Sequence, residues 1–423
     1  MFGWQNVQSL AGLGLSMALC WAFAEDRRRF PWRLAIGSIL VQLALILLLF
    51  GLPSARQVVQ GLNGAVDSLS QATAQGVQFV FGYLGGGQQP YAVQNSGALF
   101  VFAFDVLPLI IVVSALSALL WHWNVLKWVM RGFGLVFQKT MGLGGASAFS
   151  SATNIFLGNV ECALVIKGYL HKLTRSELFL MITLGMATAS SSTMVAYAAI
   201  LHATIPNPAA HVIAASIISA PAGILLARIM VPEPKGYRGE DADYDNLLKY
   251  RSTIDAIGTG VGDGLNIALN VGAMLIAFVA LVALANGLLG LLPPLGGQPM
   301  SVQRMLGWIF SPLAWTLGVP WREAGAAGNL LGVKLVLTEI IAFIDLAKEP
   351  ELSARTRLIM AYALCSFANI SSVGIITSGF GVLMPDRRQE INGMVWKALL
   401  AGFLATIMTG ALIGALPGTL FGL

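Results

Sequence analysis

Apolar residues run along this chain in long blocks broken by short polar clusters. Blocks near residues 7–24, 33–52, 97–121, 178–203, 209–231, 262–292, 303–320, 329–346, 356–383 and 391–421 are candidate membrane segments, since about 20 apolar residues span a bilayer as a helix. Residues 54–85 differ. They are rich in Gln, Gly and Ser and place Val58, Val59, Leu62, Val66 and Leu69 at helical spacing, the pattern of a helix lying at the membrane interface. Trp121, Trp123 and Trp128, with Lys127 and Arg131, predict a second interfacial segment, because Trp prefers the headgroup level. The charged stretch Glu233–Arg251 is a hydrophilic linker that divides the chain.

Composition agrees with this pattern. Of 423 residues, 56% are hydrophobic and only 11% charged, whereas a soluble domain carries roughly a quarter of its residues as Asp, Glu, Lys and Arg. The fold class is therefore an all-α polytopic membrane protein. The 47 glycines and 17 prolines suit close helix packing and broken helices in lipid. Cys20, Cys162 and Cys365 sit in apolar stretches without paired spacing and read as small buried hydrophobes. The net charge of +5 comes from basic residues between spans, so it carries no signal for nucleic acid. Arg27, Arg28, Arg29 and Arg33 follow the first apolar stretch; this order predicts an outward N-terminus without a cleaved leader and a cytoplasmic loop near residues 25–33.

The two halves carry matching interruptions. In the first, Glu161 in an apolar run is followed by Leu173-Thr174-x-Ser176 and the polar break Thr188–Thr193. In the second, Glu339 is followed by Leu352-Ser353-x-Arg355 and the break Ser366–Ser372. Glu161 precedes Leu173 by 12 residues and Ser190 by 29; Glu339 precedes Leu352 by 13 and Asn369 by 30. Paired membrane glutamates with paired breaks are the pattern of inverted-repeat transporters.

A carboxylate within a span costs about 2.5–3.5 kcal/mol on insertion scales. Glu161 and Glu339 therefore either bond exposed backbone at a helix break or face a substrate or ion, and the breaks beside them favour the second role. Asn154 and Gly158 inside a hydrophobic run predict a re-entrant hairpin, whose free carbonyls can ligate a small cation and whose free N–H groups can bind polar substrate atoms. Residues Gly318–Gly328, with Pro320, are expected to form the tip of a second hairpin, with Arg322 and Glu323 as a local ion pair. The hydroxyls of Thr188–Thr193 either bond back to the preceding turn or face a polar site. Asn369 and Ser372 share a helical face near Phe367. An amide, a hydroxyl, a carboxylate and an aromatic ring suit a sugar attached to a heterocyclic base. The sequence shows no metal motif, nucleophilic triad or phosphate loop, so neither an enzyme nor an ATP-driven pump is expected.

Over nearly its whole length the chain resembles the concentrative nucleoside transporter family. The residues that carry the resemblance are Ala152–Gly158 with Glu161, Ser176–Phe179, Gly185–Thr188, Ala268–Ala277, Gly318–Trp321 and Ala363–Ser372. The resemblance implies eight transmembrane helices, two re-entrant hairpins and an interfacial helix, assembled as a homotrimer in which each protomer has its own mobile inverted-repeat transport domain. On that basis residues 1–140 form scaffold helices with interfacial segments, 141–232 the first hairpin and transport repeat, 233–299 the linker and a scaffold helix, and 300–423 the second hairpin and repeat. The implied ribose contacts are Glu339, Asn369 and Ser372, with Phe367 lining the pocket. The implied base contacts are Asn159, Val160 and Glu161, with Thr193 beside them. A sodium ion is implied near Asn154, Leu157, Thr188 and Ala189.

One departure stands out. Many members have Gln, then Thr or Ser, then Glu after the tip glycine, with a Pro soon following; here the order is Asn159, Val160, Glu161, Cys162, Ala163. Asn reaches one methylene less than Gln, and Val neither donates nor accepts a hydrogen bond, so base preference does not transfer. The expected function is sodium-driven nucleoside symport across a bacterial inner membrane. Proton coupling through Glu161 or Glu339 is the alternative, and a gate-like protein that recognises nucleosides without concentrating them is another. An intramembrane hydrolase is disfavoured.

Overall fold

A computed structural model describes residues 3–92, 101–158, 162, 163, 165, 170–234, 237, 249–295, 297 and 299–422, with side chains of 53–56, 58 and 59 excepted. Its first half contains α1 (Trp4–Ala22), α2 (Trp32–Ile46, continued to Gly51 by a π-turn), α3 (Pro53–Phe81), α4 (Leu107–His122), α5 (Val125–Met141), α6 (Gly145–Asn154), α7 (Arg175–Ala187), α8 (Ser191–Leu201) and α9 (Pro208–Met230). The second half contains α10 (Thr253–Leu289), α11 (Val302–Thr316), α12 (Trp321–Val336), α13 (Glu339–Lys348), α14 (Ala354–Leu364), α15 (Ile370–Leu383) and α16 (Arg388–Ala415). Among the described residues six helical stretches are long and apolar enough to cross a membrane.

Burial sorts these stretches into two groups. In α9, α16 and the α7–α8 stretch, 94% of the most apolar window is buried in the protein; in α2 and the α4 stretch it is 28%, and in α10 only 11%. A helix apolar all round and buried all round belongs to a packed interior, whereas an exposed apolar helix needs lipid or a partner. Helices α9 and α16 cross at the centre, where the Ser219 and Thr409 hydroxyls bond each other at 3.0 Å. Around them α1 lies against α16, and a Cβ on Gly12 would stand 2.9 Å from that of Ala411. The outer group has its own seam. On α10, a Cβ at Gly260 or Gly264 would stand 2.7 Å from a backbone Cα of α4 (Ala115 or Ile111), the small-residue contact that lets membrane helices approach closely.

The breaks are capped locally. Helix α7 stops at Ala187 because Thr188 turns extended, and α8 starts only at Ser191. Helix α14 stops at Leu364, and extended Asn369 caps α15 by accepting the Ser372 N–H at 2.9 Å. Thr174 and Ser353 cap α7 and α14 in the same way, as N-cap hydroxyls satisfy otherwise orphaned N–H groups. Each half also braces its broken helix with a carboxylate. Glu177 accepts from Ser147 of α6 at 2.6 Å, and Glu323 of α12 accepts from the Ser353 hydroxyl at 2.9 Å.

The second hairpin differs from the sequence expectation. Gly318–Gly328 is not its tip. Gly318, at φ +87°, turns the chain between α11 and α12, and Pro320 caps α12. Gly325 and Gly328 lie within α12, where a Cβ on Gly328 would stand 2.6 Å from the Ser311 nitrogen of α11. These small residues permit close helix packing rather than stopping a helix. The tip is Leu337–Thr338, between α12 and α13. The Arg322–Glu323 pair forms at 3.6 Å, but at the start of α12. In the second interfacial segment Trp123 and Trp128 are exposed, whereas Trp121 is buried in the core with Lys127 over its ring at 5.2 Å. The amphipathic stretch forms the 29-residue helix α3, with Val66 and Leu69 packed against Leu109 and Val113 of α4.

The α4–α10 seam makes a prediction. Gly264→Leu should destabilise the protein by about 1–3 kcal/mol through overpacking, read as a lower thermal unfolding midpoint in detergent. Gly262→Leu, where a Cβ meets nothing within 4 Å, should leave the midpoint unchanged.

Candidate functional site

A cavity of about 510 Å³ lies where the two broken helices face α10. Gly158, Ser190, Thr193, Glu339, Phe367, Asn369 and Ser372 line its inner side, while Ile267, Asn270, Val271, Met274 and Leu275 of α10 close the outer side. Its size falls in the range of small-molecule sites, which run about 300–1,000 Å³. The structure thus gathers Thr193, Glu339, Phe367, Asn369 and Ser372 at one surface. Asn159, Val160 and Glu161 lie outside the described residues.

Glu339 is the first residue of α13 and almost fully buried. The N-terminus of a helix is the favourable end for a negative charge. One carboxylate oxygen accepts from the Tyr197 hydroxyl at 2.9 Å, and the other accepts from Asn369 Nδ2 at 2.7 Å. The Asn369 amide cannot turn freely, since its Oδ1 accepts from the Ser372 N–H and from the hydroxyls of Ser371 (2.6 Å) and Ser372 (3.0 Å). Tyr197 is itself fully buried and stacks on Phe343 with ring centroids 4.5 Å apart. These contacts hold one carboxylate, one amide and two hydroxyls on the cavity wall, beside the face of Phe367. Such a set can grip vicinal hydroxyls and cover a flat ring.

Behind the first break lies a second polar cluster. The Thr188 hydroxyl is within reach of two carbonyls, Asn154 O at 2.7 Å and Leu184 O at 2.8 Å. The Ser216 hydroxyl of α9 likewise faces Ile155 O at 3.3 Å and Ala189 O at 3.4 Å, and accepts from the Ala189 N–H. Each hydroxyl has a single hydrogen, and since Leu184 O already accepts the Thr188 N–H at 3.0 Å, two hydroxyl hydrogens face the three remaining carbonyls of Asn154, Ile155 and Ala189. Asn154 Oδ1 is also buried without a hydrogen-bond partner. An excess of neutral oxygens over hydrogens suits a small hard cation. Asn154, Thr188 and Ala189 meet here; Leu157 lies on the same turn and borders an adjoining small cavity with Phe156 and Ser190. Among the described residues no group of three His, Cys, Asp or Glu is placed to hold a metal.

Comparison with known proteins decides the family. The Na+ dependent nucleoside transporter N-terminus and C-terminus match residues 11–84 and 211–414, and a "Nucleoside recognition" gate matches 103–204. The chain is 36% identical to nucleoside permease NupC of Helicobacter pylori, over 97% of both chains. The chain belongs to the concentrative nucleoside transporter family. Solved structures of the transporter CNTnw agree. The inward-facing substrate-bound state matches with a TM-score of 0.86 at 35% identity, covering 97% of this chain and 98% of that one. An outward-facing variant matches with a TM-score of 0.87 at 34% identity, covering 99% and 98%. This concentrative nucleoside transporter is accordingly an integral inner-membrane protein and a transporter rather than an enzyme.

The sequence reasoning overlooked two groups in this region. Tyr197 gives no pattern of its own, because a tyrosine in an apolar helix is ordinary core. Ser216 is equally silent, since a helical serine most often bonds back to its own helix. Removing a hydrogen bond to a buried charged group costs about 1.5–3 kcal/mol, so Tyr197→Phe should weaken binding of uridine or adenosine by roughly tenfold to a hundredfold. Equilibrium binding to purified protein checks this, with an unchanged circular dichroism spectrum as the folding control.

Proposed function

We propose that this protein takes up nucleosides by secondary active symport coupled to sodium. The observation that carries this reading is the backbone linking the two polar sites. Thr188 and Ala189 face the oxygen-rich cluster, while Ser190, the next residue, lines the large cavity. The Phe367 N–H also donates to the Thr188 carbonyl at 3.3 Å, so the aromatic wall of the cavity hangs on the same segment. A cation drawn to Asn154, Thr188, Ala189 and Ser216 would order the break that shapes the substrate wall. Coupling of this kind requires the ion to favour the substrate-binding arrangement energetically.

In this reading Glu339, Asn369 and Ser372 take the ribose, Phe367 and Thr193 flank it, and Asn159, Val160 and Glu161 meet the base. Residues 141–232 and 300–423 move as a transport unit against a scaffold of 1–140 and 233–299. The scaffold assembles as a homotrimer, for which the largely uncovered apolar face of α10 offers a surface. Sodium is favoured over a proton because the cluster at Asn154, Thr188, Ala189 and Ser216 offers neutral oxygens and no titratable side chain.

Radiolabelled uridine and adenosine uptake into proteoliposomes tests this. An inward sodium gradient alone should drive accumulation, and Glu339→Gln should abolish it. Accumulation driven only by a proton gradient would overturn sodium coupling, and binding without accumulation under any gradient would favour a sensor. Ser216→Ala should raise the sodium concentration for half-maximal uptake roughly tenfold, the cost of about one polar contact.

A further inference from the structure

A fully buried lysine sits in the second repeat where the function just described gives it no task. Lys334, near the end of α12, is completely shielded from solvent. Its Nζ donates to Ala363 O at 2.7 Å and to Thr406 Oγ1 at 2.7 Å, and lies 5.3 Å from the centre of the Phe403 ring. Among the described residues no carboxylate forms an ion pair with it. A lysine inside the membrane with no carboxylate in contact is costly and is by default a functional group.

The internal repeat indicates what that group replaces. The N-caps Thr174 and Ser353 lie 179 positions apart, and so do the N-caps Ser190 and Asn369. The same offset pairs Leu184 with Ala363, and the matched glutamates Glu161 and Glu339, 178 positions apart, place Lys334 opposite Phe156, next to Ile155. On the central helices, Ser219 and Thr409 meet directly across 190 positions, and that offset pairs Ser216 with Thr406. In the first repeat Ser216 faces the Ile155 carbonyl, and the Leu184 carbonyl borders the oxygen cluster. In the second repeat the counterparts Thr406 and Ala363 both bond one ammonium. One carbonyl and one hydroxyl at the first-repeat oxygen cluster thus have counterparts that hold a covalently attached ammonium in the second repeat.

We propose that Lys334 is a tethered cation occupying the second repeat's counterpart of the sodium site, and that it limits the transporter to one mobile ion per nucleoside. This rests on the sodium reading of the first-repeat cluster. The tethered charge serves the second break as the mobile ion serves the first. It orders the end of α14, from which the chain passes through Phe367 to Asn369 on the cavity wall. Because it crosses with the protein in both directions, it adds no net charge to a cycle. Losing it while leaving space would open a second sodium site and raise the coupling ratio.

The test is equilibrium binding of uridine and adenosine to purified protein over a range of sodium, with choline as replacement. In wild type the slope of log (1/Kd) against log sodium should be near one, so that a tenfold drop in sodium weakens binding about tenfold; in Lys334→Ser the slope should approach two, and the same drop should weaken it about a hundredfold. Lys334→Arg, which keeps the charge, should retain a slope near one. A slope near one in the serine variant overturns the tethered cation while leaving the sodium site standing. A wild-type slope of zero removes the sodium reading, and this proposal with it. Should the serine variant prove too unstable to purify, thermal unfolding in native membranes decides. Greater stabilisation by sodium over choline than in wild type supports the proposal, and equal stabilisation overturns it.

Discussion

The rule that lipid satisfies no backbone hydrogen bond governs this structure. A helix interrupted in the bilayer exposes N–H and C=O groups that must find partners within the protein. Here there are breaks at Thr188–Ser190, at Leu337–Thr338 and at Cys365–Asn369, besides the end of α6 at Asn154. Their free groups are covered by hydroxyls of Thr188, Ser216, Thr338 and Ser366, by the amide of Asn369, and by each other. The buried position of the α7–α8 stretch, α9 and α16 follows, since only protein can surround such segments. The two polar sites arise because this cover is incomplete in chosen places.

The energetic arrangement is economical in charge. Glu339 is held by a helix N-terminus and two donors, and Lys334 by a carbonyl, a hydroxyl and a ring. Neither is neutralised by an opposite charge at contact distance among the described residues. Neutral dipoles fixed by capping therefore stabilise these buried charges. Such groups keep their interactions available to a ligand, whereas a closed ion pair would first have to be broken at a cost of several kcal/mol.

Much of this was legible in the sequence. Hydropathy blocks marked the membrane segments, and the polar clusters at Thr188–Thr193 and Ser366–Ser372 marked both helix breaks, with Glu339 beside the second, because intramembrane charge and hydroxyl clusters are expensive enough to stand out. The Gly318–Gly328 run misled, since glycine and alanine signal a chain break and close helix packing alike, and only the neighbour at α11 distinguishes them. The true tip carried a signal of another kind, a threonine immediately before Glu339 able to cap a new helix. Lys334 was open to the same rule that singled out Glu339, being charged within an apolar run. Tyr197 and Ser216 depend on partners distant in sequence, which a single chain's pattern does not reveal.

The outer wall of the large cavity belongs to α10, which is locked to α4 through Gly260 and Gly264 and contributes mostly apolar side chains, with Asn270 the exception. Under the proposed movement of the transport unit, a cargo held by the inner wall would leave few polar attachments on the surface it slides past. Little desolvation must be undone at each step of the passage, and the energy profile along the route stays smooth. On that proposal discrimination among substrates is concentrated in the inner wall, and turnover becomes a property of how readily the smooth outer surface is cleared.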